Sequence, residues 1–246
     1  MDAVVTALSV QGLVLAFVPA VIVIGIIFRW AAGAQTALYA TLRMLIQLLL
    51  IGYVLAYIFE ADQPGIIIAV LLFMLAVASW IAIRPLHNKQ PHSYLNVLGA
   101  ISVGGILTLA LVSQAVLSVQ PWFSPRYLVP LAGMIFAGSM NTVSLAAERF
   151  QSEHERGTPY VEARRIALQA SLIPITNSLF AVGLVSLPGM MTGQILSGVS
   201  PLVAAKYQIV VMTMLFGASG ISAALYLVLA NRSLVRSQRH PTSTQR

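Results

Sequence analysis

Residues Pro64 to Ile83 read PGIIIAVLLFMLAVASWIAI, with no charged side chain in the run. A helix rises about 1.5 Å per residue, so about 20 such residues cross the roughly 30 Å hydrocarbon core of a bilayer. A strand of a membrane barrel would alternate polar and apolar residues over about 10, and this stretch does not alternate. It reads as a transmembrane helix, and six other stretches read the same way. The expected spans are Gly12–Phe28, Ala37–Phe59, Pro64–Ile83, Leu95–Leu117, Tyr127–Leu145, Leu172–Ile195 and Tyr207–Leu229. Composition agrees: 58% of the 246 residues are hydrophobic and 9% are charged, against about 25% charged in a soluble domain. The 7 acidic and 14 basic side chains cannot coat a soluble fold. The fold class is all-α, a polytopic helical membrane protein in a single transmembrane domain over 1–246.

The loops sort by charge. One set holds Arg29, Arg84, Lys89, Arg149, Arg156, Arg164 and Arg165, followed by a tail, 231–246, with Arg232, Arg236, Arg239 and Arg246. The other holds Glu60, Asp62, Arg126 and Lys206. Lys and Arg collect on the cytoplasmic side, so the N-terminus is expected outside and the C-terminus inside, which an odd number of crossings satisfies. The net charge of +7 is thus explained by orientation in the bilayer, without a nucleic-acid partner. The start, MDAVVTALSV, has no basic region ahead of its apolar run, so the first span is expected to be retained. The tail is expected to be a disordered basic extension. There is no cysteine, which removes disulfides, thiolate ligands and cysteine nucleophiles.

The one sizeable stretch between spans is 146–170, AAERFQSEHERGTPYVEARRIALQA. It is charged and helix-prone on either side of Gly157-Thr158-Pro159. Thr158 is placed to cap the second helix and Pro159 to occupy its first turn. Tyr160, Ala163 and Ala167 then share one side, with Arg164 and Arg165 on another. Such a helix either lies on lipid headgroups or docks a cytoplasmic partner.

Few groups within the spans could do chemistry. Arg43 and Gln47 share a face of the second span; Arg43 either snorkels to the headgroups or lines a pathway. Asn96, Gln114, Asn141, Gln169 and Asn177 are neutral amides suited to interhelical hydrogen bonds. No Asp or Glu lies within a span, and His87, His92, His154 and His240 all fall in loops or the tail. No internal proton relay is therefore expected. A phosphate-binding loop needs GxxxxGK[ST], and the lysines, in NKQ at Lys89 and AKY at Lys206, do not supply one. The chain is expected to have no enzymatic activity, with any ATPase on a separate subunit. The motif GASG at Gly217–Gly220 resembles a serine-protease site at Ser219, yet no span offers the histidine base such a nucleophile needs; close helix packing by small residues is the ordinary use. Met134, Met140, Met190, Met191, Met212 and Met214 are either flexible packing residues or soft ligands.

The stretch AVGLVSLPGMMTGQIL, residues 181–196, interrupts the sixth span. Pro188 has no amide hydrogen, so the Leu184 carbonyl is expected to lose its helical partner, and Gly189 lets the backbone turn. A freed carbonyl in lipid must be satisfied by protein or by water in a cavity. Broken helices of this kind line transporter pathways; a plain kink or the natural end of the span is the other reading.

LAGMIFAGSM (Leu131–Met140), GLVSLPGMMTGQILSGVSPLVAAKYQIVVM (Gly183–Met212) and IQLLLIGYVLAYIF (Ile46–Phe59) resemble the FetB-like permeases, membrane subunits of an iron-export ABC transporter related to plant half-transporters of aluminium tolerance. The resemblance runs over most of the chain. It implies a permease subunit of the plasma (bacterial inner) membrane, dimeric, exporting iron or another metal, free or chelated. It would bind no cofactor itself and would be driven by ATP–Mg on a cytoplasmic ABC ATPase. The pathway and gating residues would come from Arg43, Gln47, Met134, Met140, Asn141, Asn177, Pro188, Gly189, Met190 and Met191. Arg156, Gly157, Pro159, Tyr160, Glu162, Ala163, Arg164 and Arg165 would couple to the ATPase. Glu162-Ala163 resembles the start of the coupling loop of ABC permeases, but Leu168 stands where those loops have glycine. In the fifth span Ala137-Gly138 stands where the family has Gly-Asn, and Asn141, one turn on, would supply the amide. An ATP-independent carrier or channel, or a membrane scaffold or sensor, are the alternatives.

Overall fold

The computed structural model describes residues 9–30, 33–60, 63–86 and 91–239. Asp62, Lys89 and residues 240–246 of the tail lie outside them. Every regular element among the described residues is a helix, and six are long and apolar enough to cross a membrane. The chain divides into two compact units, Met1–Glu60 and Ala61–Arg246.

The first unit contains α1 (Val10–Ala16), α2 (Val18–Trp30) and α3 (Ala34–Phe59). The Ser9 hydroxyl caps α1 by accepting from the Gly12 amide at 3.1 Å. α1 and α2 are separated at Phe17, two residues before Pro19, which cannot donate to the Leu15 carbonyl. Together they form one candidate span, Val10–Trp30. α2 packs on α3.

The second unit contains α4 (Pro64–Ala82), α5 (Pro91–Ala110), a π-helical turn (Leu111–Val116), α6 (Pro125–Glu155), α7 (Tyr160–Ala181), α8 (Gly189–Leu196) and α9 (Pro201–Arg239). Helices α5, α6 and α9 pack against one another. α4 lies against α5 and α6, α7 against α6 and α9, and α8 rests on α9. Lipid tails are as apolar as leucine, so helices in a bilayer associate through close packing of small residues, and the core follows that rule. Its fully buried side chains include Ser79, Ser139, Ser171, Ser219 and Ser222, whereas Phe73, Leu107, Leu111 and Ile209 face outward. A Cβ on Gly104 would lie 2.4 Å from the Ser222 Oγ and 3.2 Å from the Ala218 carbonyl oxygen, so α5 meets α9 almost backbone to backbone there. The Ser222 hydroxyl donates to the Ser139 Oγ at 3.2 Å, joining α9 to α6. The GASG stretch is therefore packing surface, through Ala218 and Ser219. Gly217 meets nothing within 4 Å of where its Cβ would be.

Three expected boundaries shift. α6 continues past Leu145 to Glu155, so the stretch after the fifth span is the end of the same helix. α9 begins at Pro201 and stays helical to Arg239, where a disordered tail was expected. The sixth expected span is not one helix: it is the second half of α7, a seven-residue break and α8.

Candidate functional site

Two features lie at opposite ends of the second unit, joined by α6 and α7. α6 has 31 residues, about 46 Å of helix. At one end is the elbow between α6 and α7, Arg156–Pro159; at the other is the break between α7 and α8.

The elbow is organised by Glu153, which is 5% exposed. Its carboxylate pairs with Arg149 at 2.7 Å and Arg156 at 3.4 Å, and accepts from the Thr158 hydroxyl at 2.9 Å. A buried carboxylate is costly unless its oxygens are filled, and these three donors fill them. Thr158 therefore does not cap α7, as its position suggested; Pro159 occupies the cap without a side-chain bond. Gly157, at φ +78, makes the reversal. The side shared by Tyr160, Ala163 and Ala167 turns inward: Ala163 and Ala167 are buried. Tyr160 packs edge-on against Phe150 and donates to the Leu227 carbonyl at 3.4 Å, tying the elbow to α9. Arg164 lies over the Tyr160 ring. On the outer side Val161 is 67% exposed. Beside it, Arg165 donates to Glu162 at 2.5 and 3.0 Å, which holds that carboxyl below its usual range. Leu168, at the position where the coupling loops of ABC permeases have glycine, packs against the core.

The break is present, but it does not start at Pro188-Gly189. α7 already ends at Ala181, whose carbonyl accepts from the amides of Leu184, Val185 and Ser186. Gly183, at φ +83, makes the turn, and its amide donates to the Ser186 carbonyl at 2.9 Å. Pro188 does not interrupt a helix; it precedes one, in extended conformation, as the cap of α8. Its carbonyl accepts from the Thr192 amide at 3.0 Å. Gly189 is not in the left-handed region, so the turning residue is Gly183. A second positive-φ glycine, Gly198, follows α8, leaving an eight-residue helix between two glycine turns.

α8 separates two cavities. The larger, about 530 Å³, includes Arg126, Tyr127 and Met134 of α6, Met190 and Gln194 of α8, and Tyr207 of α9. The smaller, about 340 Å³, includes Leu179, Gly183, Met191 of α8, and Gln208, Met212 and Thr213 of α9. Each thus has two methionines and one glutamine. The Oε1 atoms of Gln194 and Gln208 are both buried without a donor. Both cavities are largely apolar and suit a flexible or amphiphilic molecule. Among the described residues no three His, Cys, Asp or Glu side chains come together as a metal site.

Of the candidates read from the sequence, the structure gathers Met134, Pro188, Gly189, Met190 and Met191 around α8. Met140 packs against the core. Asn141 and Asn177 are exposed on α6 and α7, lining neither cavity. Arg43 and Gln47 lie one turn apart on α3 of the first unit. Residues missed in the sequence are Glu153, Arg126, Gln194 and Gln208. Helical spacing carried a signal for three of them: Arg149 and Glu153, Met190 and Gln194, and Gln208 and Met212 are each four apart.

The profile of the family described as "Uncharacterised protein family (UPF0014)" matches residues 10–164 and 160–235. The chain is 39% identical over 200 residues to a UPF0014 membrane protein of Synechocystis sp., covering 74% of this chain and 73% of that one. It is 34% identical over 223 residues, 85% of each chain, to "Probable iron export permease protein FetB" of Escherichia coli. It is also 34% identical over 201 residues to "Protein ALUMINUM SENSITIVE 3" of Arabidopsis thaliana, 76% of this chain and 72% of the relative. No solved structure matches the chain.

Proposed function

This chain belongs to the UPF0014 family, and on that footing we propose that it is the permease subunit of an ABC exporter of the plasma membrane. The cargo is iron or another metal, free or chelated. ATP–Mg is bound and hydrolysed by a separate cytoplasmic subunit, since this sequence has no phosphate-binding loop. The Escherichia coli relative, whose name gives iron export, supports the cargo class. The observation that carries the mechanism is that one helix, α7, runs from the elbow to the break, with Pro174 inside it.

In this reading the elbow lies in the cytoplasm and docks the ATPase through Val161, Arg156, Glu162 and Arg165. ATP binding closes the ATPase pair and tilts the elbow. Tyr160 passes the displacement to α9 through Leu227, and α7 passes it to the break. α8, set between the turns at Gly183 and Gly198, shifts on α9, and the two cavities it separates exchange access. A second copy of the chain completes the transporter, with the exposed amides of Asn141 and Asn177 satisfied across the dimer; apolar helices favour such bonds over an unpaired amide in lipid.

The test is reconstitution of the purified chain with its ATPase in liposomes. Metal flux that requires ATP hydrolysis supports the reading. Flux that persists without ATP identifies a carrier or channel instead, and absence of flux with intact partner binding identifies a scaffold.

A further inference from the structure

We propose that the larger cavity binds an anionic amphiphile from the adjoining leaflet, its charged head on Arg126 and its apolar body along Met134, Met190 and Val203. Arg126 is exposed at the cavity and has no carboxylate partner among the described residues. The four described acids of this unit, Glu148, Glu153, Glu155 and Glu162, all belong to the elbow end of α6 and α7. The break end has Arg126 and Lys206 instead. Within this unit the charge at that end favours an anion, and a guanidinium fork matches phosphate or carboxylate oxygens.

The head must also donate. The Gln194 side chain lines this cavity and its Oε1 is buried without a donor, so the amide has reason to turn toward a donor in the cavity, since an unmet buried acceptor is costly. A hydroxyl or amine on the head would fill it. The remaining wall is mostly apolar, Leu131 and Val199 included, and a volume of about 530 Å³ takes a headgroup and the start of its chains. A bare hard cation fits poorly, because the wall offers thioethers and an amide oxygen but no carboxylate. Phosphatidylglycerol, an anionic glycerophospholipid, has all three properties: negative charge, hydroxyl donors and an apolar body.

This inference rests on the transport reading only in taking the cavity as one end of the pathway. Its test needs neither ATP nor a partner, so it can fail while ATP-driven flux stands, and the reverse.

The full chain, purified in neutral detergent, is photolabelled with phosphatidylglycerol bearing a diazirine in its acyl chain, and labelled peptides are mapped by mass spectrometry. Phosphatidylcholine with the same chain is the comparison. The expected result is labelling of the peptides holding Met134, Met190 or Val203, about tenfold stronger for phosphatidylglycerol. Arg126→Gln should lower it to the phosphatidylcholine level, and Gln194→Leu should lower it about threefold. Lys206→Gln removes an exposed cation at the same end that does not line the cavity, and should lower labelling far less than Arg126→Gln. Equal labelling by the two lipids, or no effect of Arg126→Gln, overturns the proposal. Competition by glycerol 3-phosphate at matched concentration also overturns it, because the ligand would then be a soluble anion with no need of a tail.

Discussion

Glu153 is the side chain on which the elbow depends. Its carboxylate is nearly buried and accepts from three side chains on both sides of the turn. Glu153→Ala should lower stability on the order of 2 kcal/mol, since hydrogen bonds to a charged group are lost and two arginines keep no common partner. The checks are thermal unfolding in detergent and faster proteolysis near Gly157. Glu162→Gln, which breaks only the exposed pair with Arg165, should leave both unchanged. Gly104 is the matching point inside the bundle. Gly104→Ala places a methyl 2.4 Å from the Ser222 Oγ and should cost about 1–3 kcal/mol by overpacking. Ser222→Ala added to it should recover part of the loss by removing that oxygen, although the Ser222 amide nitrogen at 3.0 Å and the Ala218 carbonyl at 3.2 Å still crowd the site. A double-mutant cycle of unfolding midpoints reads the coupling.

At the scale of elements, the sequence located the interruption in the sixth span but centred it on Pro188-Gly189, which form the far edge of a break that begins after Ala181. Pro188-Gly189 drew attention because a proline inside a helix breaks a hydrogen bond. The chain avoids that cost by ending α7 at Ala181, so that Pro188 meets no preceding turn. Gly183, with no proline beside it, gave no comparable signal, yet it alone within the break has a positive φ. Gly183→Ala should therefore cost about 1 kcal/mol through backbone strain, since its Cβ would meet nothing within 4 Å. Gly189→Ala should be neutral or slightly stabilising. If α8 moves in transport, replacing Pro188-Gly189 by Ala-Leu should abolish flux while membrane insertion and monomer stability hold. Unchanged flux would remove α8 from the gate. The long apolar runs were legible because their length alone decides the class. The elbow was legible in part: its buried alanine face followed from helical spacing, but Thr158 looked like a cap because nothing in the sequence showed that Glu153 would be buried beneath it. The cavities were not legible, since they depend on how α6, α8 and α9 meet.

At the scale of the second unit, two unlike ends lie on one pair of helices, α6 and α7. The elbow, with its acids and arginines in equal number, is where an energy-supplying partner would dock, and the break with its two cavities is where cargo would pass. Both assignments require that the elbow and the break face opposite sides of the membrane, with the elbow in the cytoplasm. The chain has no cysteine, so a single introduced thiol reports its own side without background. Val161 at the elbow and Val185 at the break are 67% and 85% exposed, and a cysteine at either site keeps the backbone amide, including the one Val185 donates to the Ala181 carbonyl. Val161→Cys and Val185→Cys, expressed separately, are treated in intact cells with a membrane-impermeant maleimide, and again after permeabilisation. Labelling of Val185→Cys in intact cells, with Val161→Cys labelled only after permeabilisation, is the expected result. Labelling of Val161→Cys in intact cells would put the elbow on the side without ATP and contradict the account.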